Sequence, residues 1–207
     1  MTDHTPQPKN ALGIIRLLLW ALVAVAAIAF VALQMQTREG AVPQRDFSAS
    51  IGGPFTLTAP DGSTVTDRTL KGRPFALFFG FTRCPDVCPT TLARLAKLRH
   101  ALGTDGNSLQ IVFVSVDPQA DKPANIGRYI ALFDTPIVGL TGTPAQIADI
   151  AKAYRIVYEK VSQDGGNYTI DHSATVFLMD RGGRLQSTLD MKENDAAALA
   201  KLRRLIS

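Results

Sequence analysis

The chain has two cysteines in 207 residues, and they stand four apart as Cys84 and Cys88. They lie in residues 75–92, FALFFGFTRCPDVCPTTL, where an apolar run ends in a short polar turn and a helical pattern follows from Thr90. On a helical turn, positions i and i+4 share a face, so both sulfurs can point at one atom or bond to each other. Pro85 and Pro89 stiffen the turn, and neither carries an N–H that needs a partner. Where a strand gives way to a helix, the terminal amides and the helix dipole are expected to stabilise a thiolate. Three chemistries follow: an inert structural pair, a dithiol redox couple, or a metal site needing a further ligand. Soft sulfur ligands favour Cu(I) or zinc, and imidazole suits copper too.

Histidine is scarce: His4, His100 and His172. His4 precedes a long apolar segment, and His100 falls near the end of the helix after the cysteines, where a cation favours the helix dipole. His172 sits in Asp171-His172-Ser173, just before an apolar strand of residues 175–178. A loop at a strand end can approach a helix N-terminus from a neighbouring strand, which makes His172 the candidate to join the thiols. Asp86, between the cysteines, reads as a solvated loop carboxylate or helix cap. Asp117 and Asp121 read as caps of a helix from Pro123 and as shapers of a loop near the site, rather than as an acid–base pair. Met179 and Met191 are not spaced with the cysteines and read as packing residues.

The elements that must position these groups alternate strand and helix. Residues 55–57 and 64–66 flank Asp61-Gly62, a hairpin turn. Residues 75–81 and 109–116 are buried strands, and Leu92, Leu95, Ala96 and Leu98 mark a helix over residues 90–102 with Gly103 as its stop. A helix over 123–133 and a short strand over 137–140 follow. Thr143-Pro144-Ala145-Gln146 is a capping box with proline at the first helical position, opening a helix to about Tyr154. Residues 156–161 and 168–170 bracket Gly165-Gly166 as a hairpin, residues 174–179 and 185–189 form another, and Asn194 caps a last helix ending near Ile206. This order implies an α/β sandwich with a mixed central sheet.

Residues 17–33 run for 17 positions without a charge, and with residues 13–15 they make about 20, enough to cross a bilayer core of roughly 30 Å. Arg16 and Trp20 lie near one interface. The run exceeds the usual signal-peptide h-region, and Leu33-Gln34-Met35 is a poor cleavage signal, so an uncleaved anchor is expected. The chain then divides into residues 1–12 as a cytoplasmic N-terminus, 13–33 as a transmembrane anchor, 34–50 as a polar tether with Gly40 and Pro43, and 51–207 as a folded domain. The net charge of +4 is mild and its basic residues are scattered, so no nucleic-acid footprint is present. One possible disulfide is too few for a disulfide scaffold.

Taken together, Gly80-Phe81-Thr82-x-Cys84-Pro85-Asp86-Val87-Cys88-Pro89, Ser115-Val116-Asp117-Pro118 with Asp121, and Asp171-His172-Ser173 closely resemble the Sco (SenC) family. The resemblance runs through anchor, tether and domain. It implies a thioredoxin-like fold and a membrane-anchored, copper-binding factor for cytochrome c oxidase assembly. It also implies Cys84, Cys88 and His172 as ligands of Cu(I) or Cu(II), while Arg83 stands at a variable position and takes no ligand role. Two thiolates and one imidazole are a sensible three-coordinate Cu(I) site; Cu(II) needs a further ligand that the sequence does not identify. Zinc, which takes four ligands or three plus water, stands second.

The expected protein is therefore a copper metallochaperone in the bacterial cytoplasmic (inner) membrane with its domain facing the periplasm. Its partners would be a copper-accepting subunit of a terminal oxidase or another copper chaperone. The alternative is a dedicated thiol-disulfide reductase, with Cys84 and Cys88 as the redox pair, that prepares the cysteines of a partner's copper site. General thioredoxin-type catalysis is disfavoured, since it uses C-x-x-C facing a cis-proline and here the spacing is C-x-x-x-C. Peroxidase chemistry is disfavoured because Phe81, not threonine, stands three residues before Cys84.

Overall fold

The computed structural model describes residues 11–39, 51–162 and 168–207, and the chain falls into two compact units, Met1–Arg45 and Asp46–Ser207. His4, the end of the expected tether and the Gly165-Gly166 turn lie outside the described residues.

Among the described residues the first unit contains one helix, α1 (Ala11–Glu39). Within it Gly13–Leu33 is a 21-residue stretch with a mean hydropathy of 2.7, and its side chains are exposed. A core helix of a soluble protein would bury such a surface, so the segment fits a membrane anchor. The helix continues six residues into the stretch read as tether. Gln34, Met35, Gln36, Arg38 and Glu39 are good helix formers, and the first residue costly to a helix is Gly40.

In the second unit the chain opens with an antiparallel hairpin, β1 (Thr56–Thr58) and β2 (Thr64–Thr66). Gly62 turns it with φ +83°, a conformation that side chains with a Cβ resist, and the Asp61 carboxylate accepts the Ser63 N–H at 2.9 Å. A one-turn helix that the sequence pattern did not announce, α2 (Asp67–Leu70), follows, capped reciprocally by Thr66 and Thr69.

The core is a five-stranded mixed sheet in the order β5-β4-β3-β8-β9. Its middle strand β3 (Phe75–Gly80) lies parallel to β4 (Gln110–Ser115) on one side and antiparallel to β8 (Val176–Met179) on the other. β5 (Ile137–Leu140) extends the parallel side, and β9 (Leu185–Leu189) closes the antiparallel side. All six residues of β3 are buried, which is why the strand reads as a continuous apolar run rather than an alternation. Phe79 meets Tyr154 and Phe177 on one face, with ring centroids 5.5 and 6.2 Å away, while Phe78 meets Phe113 on the other at 6.3 Å. Each such buried phenylalanine contributes roughly 1.5–3 kcal/mol of hydrophobic stabilisation.

Four longer helices cover the sheet: α3 (Val87–Ala101), α4 (Pro123–Ile130), α5 (Pro144–Ala153) and α6 (Asp195–Ile206). The Thr143–Gln146 capping box and the Gly103 stop, at φ +63°, are present as the sequence implied. Helix α3 begins at Val87, three residues before the expected start. Pro89, read as stiffening the turn, falls instead in the first turn of the helix, where its missing N–H leaves no bond unmade. Helix α4 ends three residues early, where Phe133 turns back to pack edge-on against Tyr129 at 5.5 Å. A separate antiparallel pair, β6 (Tyr158–Ser162) and β7 (Tyr168–His172), stands outside the central sheet. The α/β sandwich with a mixed sheet and an N-terminal hairpin thus matches the expectation.

Asn194 caps α6 by accepting the Ala197 N–H at 2.9 Å. Asn194→Ala is expected to lower stability by about 1 kcal/mol, read as a lower urea midpoint at unchanged slope.

Candidate metal centre

The site forms where β3 runs out. Gly80 is its last residue, the chain turns through Phe81–Arg83 with the Cys84 N–H bonded to the Phe81 carbonyl at 3.2 Å, and α3 begins at Val87. Cys84 is half-buried in the turn, and Cys88, second in the helix, is buried completely; neither is in a disulfide. The Cys88 N–H donates to the Cys84 sulfur at 3.4 Å, so a terminal amide of the helix does face a sulfur. Gly80 makes room for the other one: a Cβ there would stand 2.8 Å from the Cys88 Sγ and 2.9 Å from the Phe113 ring.

His172, the last residue of β7, brings its Nε2 to 3.5 Å from the Cys88 Sγ. Its ring rests edge-on against Phe78 and Phe81, with centroids 6.1 and 6.0 Å away. Its Nδ1 lies 3.1 Å from the Ser173 carbonyl, and a proton held there leaves the Nε2 lone pair free for a ligand. One donor atom from each of Cys84, Cys88 and His172 lies within 4.8 Å of the other two. Two sulfurs and one imidazole nitrogen, walled by aromatic rings, fit a soft monovalent ion such as Cu(I).

The expectation of a stabilised thiolate fails at Cys88. Burial, the largest influence, pushes its thiol well above the ordinary range; a backbone bond at Phe81 opposes this and the neighbouring Cys84 adds to it. The helix terminus does not overcome the loss of water, so the metal-free Cys88 is a thiol, and a metal must displace its proton.

The aspartates depart from the capping role. The N-cap of α4 is Lys122 and has no side-chain cap bond. Asp117 and Asp121 are buried beyond the end of β4. Asp121 accepts the Thr82 N–H and hydroxyl at 2.9 and 2.6 Å and the Ser115 hydroxyl at 2.5 Å, tying the cysteine turn to β4. Asp117 accepts from Arg83 at 2.8 Å and from the Tyr168 hydroxyl at 2.7 Å, with Lys160 at 3.8 Å. Burial pushes Asp117 up, but the Tyr168 and Arg83 bonds outweigh it and hold the carboxyl below the usual range. The loop-shaping role therefore stands and the capping role does not. Arg83, Tyr168 and Lys160 had no signal as a group in the sequence, because their shared partner is distant along the chain.

The remaining candidates stand outside the donor set. Asp86 is exposed at the N-cap of α3 and, instead of capping, accepts the Thr90 hydroxyl at 3.2 Å. His100 is at the last turn of α3, 2.6 Å from the Asp134 carbonyl. Met179 is in the core, and the Met191 sulfur accepts the Thr91 hydroxyl at 2.9 Å.

The SCO1/SenC family model matches residues 43–207. Protein SCO1 homolog 1, mitochondrial, of Arabidopsis thaliana is 41% identical over 135 residues, covering 63% of this chain and 40% of the relative. Protein SenC of Rhodobacter capsulatus is 41% identical over 133 residues, covering 64% of this chain and 60% of the relative. The chain thus spans less than two thirds of either relative's length. The solved structure of Bradyrhizobium japonicum ScoI with copper bound is 45% identical, with a TM-score of 0.70 over 75% of this chain and 99% of that one.

Burial sets the two thiols apart. In the reduced, metal-free protein, alkylation at pH 8 is expected at Cys84 at least about tenfold faster than at Cys88, measured by timed quenching and peptide mass spectrometry. Equal rates would mean that Cys88 is accessible.

Proposed function

The chain belongs to the SCO1/SenC family, and from that premise we propose that it is a membrane-anchored copper metallochaperone for cytochrome c oxidase assembly. The observation that carries this reading is the convergence of Cys84, Cys88 and His172 donor atoms within 4.8 Å. Copper is the cargo. Two thiolates satisfy Cu(I), and the imidazole adds a third donor and the nitrogen ligation that Cu(II) prefers. Loading displaces the Cys88 proton, so affinity falls as pH falls.

We assign the anchor to the bacterial cytoplasmic membrane, with residues 1–12 in the cytoplasm, 13–33 spanning, 34–50 as tether and 51–207 facing the periplasm. The apolar α1 helix supports an anchor. The partner would be the copper-accepting subunit of a terminal oxidase or another copper chaperone.

A second reading rests on the same sulfurs. Neither is in a disulfide, and the Cys84 sulfur accepts the Cys88 N–H at 3.4 Å. Closing a Cys84–Cys88 disulfide would release two protons and two electrons, which open a partner's disulfide to two thiols. A disulfide is a poor metal ligand, so oxidation would also abolish copper binding.

Anaerobic copper titration with a thiol count tests the proposal. Cys84→Ser and Cys88→Ser are expected to lose Cu(I) and Cu(II) binding by more than the roughly 10–100-fold that an outer-shell partner costs. His172→Ala should lose Cu(II) chiefly, since two sulfurs still hold Cu(I). An unchanged Cu(II) site in His172→Ala would remove the histidine from the ligand set and favour the reductase.

Reporter fusions at Thr37 and at the C-terminus check the topology. A periplasmic C-terminus is expected, and a cytoplasmic one would reject the assignment.

A further inference from the structure

The third donor of the site stands on the β6–β7 hairpin, which is a two-stranded sheet of its own. A lone two-stranded hairpin is marginally stable in water, so other contacts must seat it. Side chains alternate across a strand, which puts Tyr168, Ile170 and His172 on one face of β7. Ile170 is buried in the core, and Lys160 is its direct partner across the hairpin. A one-residue slip in this register would turn His172 away from the sulfurs.

The far end of that face is tied to the cysteine turn. Arg83 precedes Cys84 and donates to the Asp117 Oδ2 at 2.8 Å; the Tyr168 hydroxyl donates to the same oxygen at 2.7 Å. The Lys160 ammonium lies 3.8 Å from the other oxygen and also donates to the Gln119 side chain at 2.7 Å. Arg83 and Lys160 both sit over the Tyr168 ring, 4.3 and 4.2 Å from its centroid. Asp117 itself has no exposed side-chain surface. A charge-assisted bond to a buried carboxylate is worth more than an exposed ion pair, and a cation over an aromatic face adds to it.

We propose that Arg83, Tyr168 and Lys160, gathered on the buried Asp117 carboxylate, form a clasp that seats the β6–β7 hairpin and so holds His172 over the cysteines. Arg83 and Tyr168 are then positioning residues: neither touches the metal, and both set how long the third donor stays in reach. The role in metal binding rests on the copper reading; the seating of the hairpin does not.

The test uses Arg83→Met and Tyr168→Phe in the full chain in detergent. The first removes the guanidinium and keeps an apolar stem; the second removes one hydroxyl and keeps the ring. In the metal-free protein, amide exchange in β7 should quicken by about tenfold in each, while exchange in α5 and α6 stays at the parent rate. Unchanged β7 exchange, or equal quickening throughout the unit, overturns the clasp. Cu(II) affinity, which depends chiefly on the histidine, gives the second readout. Arg83→Met should weaken it in the parent, with no further loss when added to His172→Ala. An equal loss in both backgrounds would show that Arg83 acts through the cysteine turn alone, and the positioning role falls. If β7 exchange quickens but the parent binds no copper, the clasp stands and the copper reading fails.

Discussion

The Cys88 sulfur is shut off from water: it packs over the end of the fully buried strand β3, beside Gly80 and 3.5 Å from the His172 Nε2. Strand, helix and histidine all answer to that placement. The apolar residues of β3 fix where the strand ends. The first turn of α3 carries the sulfur back over it, and the aromatic wall keeps the imidazole beside it. Burial also fixes the chemistry: a thiol deprived of water keeps its proton until a cation takes the proton's place. Cys88 thus gains its negative charge only with a cation to pair it.

Two buried carboxylates support this arrangement from below. Asp121 joins the turn at Thr82 to β4 at Ser115. Asp117 joins Arg83 on the same turn to Tyr168 on the hairpin. A carboxylate without water needs its oxygens bonded, and both side chains meet that requirement with groups from segments far apart in the chain. Their bonds hold together loops that have little apolar surface of their own.

Much of this was legible in the sequence because its causes are local. The Thr143–Gln146 capping box, the Asp61-Gly62 turn, the Gly103 stop and the apolar run of β3 each follow from a few neighbouring residues, and all are present. The Cys84, Cys88 and His172 set was legible as candidates, since a paired thiol narrows the meaning of a lone histidine at a strand end. The parts that were not legible are tertiary. Arg83 and Asp117 are 34 positions apart, and Asp117 and Tyr168 are 51 apart. No periodicity announces such a contact. The early start of α3 was hidden by Pro89, whose effect depends on whether it falls in a first turn or an interior one. The raised Cys88 thiol was hidden because a helix dipole can be read from sequence, whereas the depth of burial that opposes it cannot.

Gly80 enters the metal site by lacking a side chain. Its backbone φ is not in the left-handed region, so the chain makes no conformational demand for glycine there; the demand comes from the sulfur above it. Grafting the C-x-x-x-C turn onto another strand–helix junction would therefore carry over the donors but not the space they occupy. A host strand ending in alanine would lift the second sulfur by several tenths of an ångström, away from a fixed imidazole. The transferable unit is longer than the turn: it begins at the hydrogen atom that closes the strand.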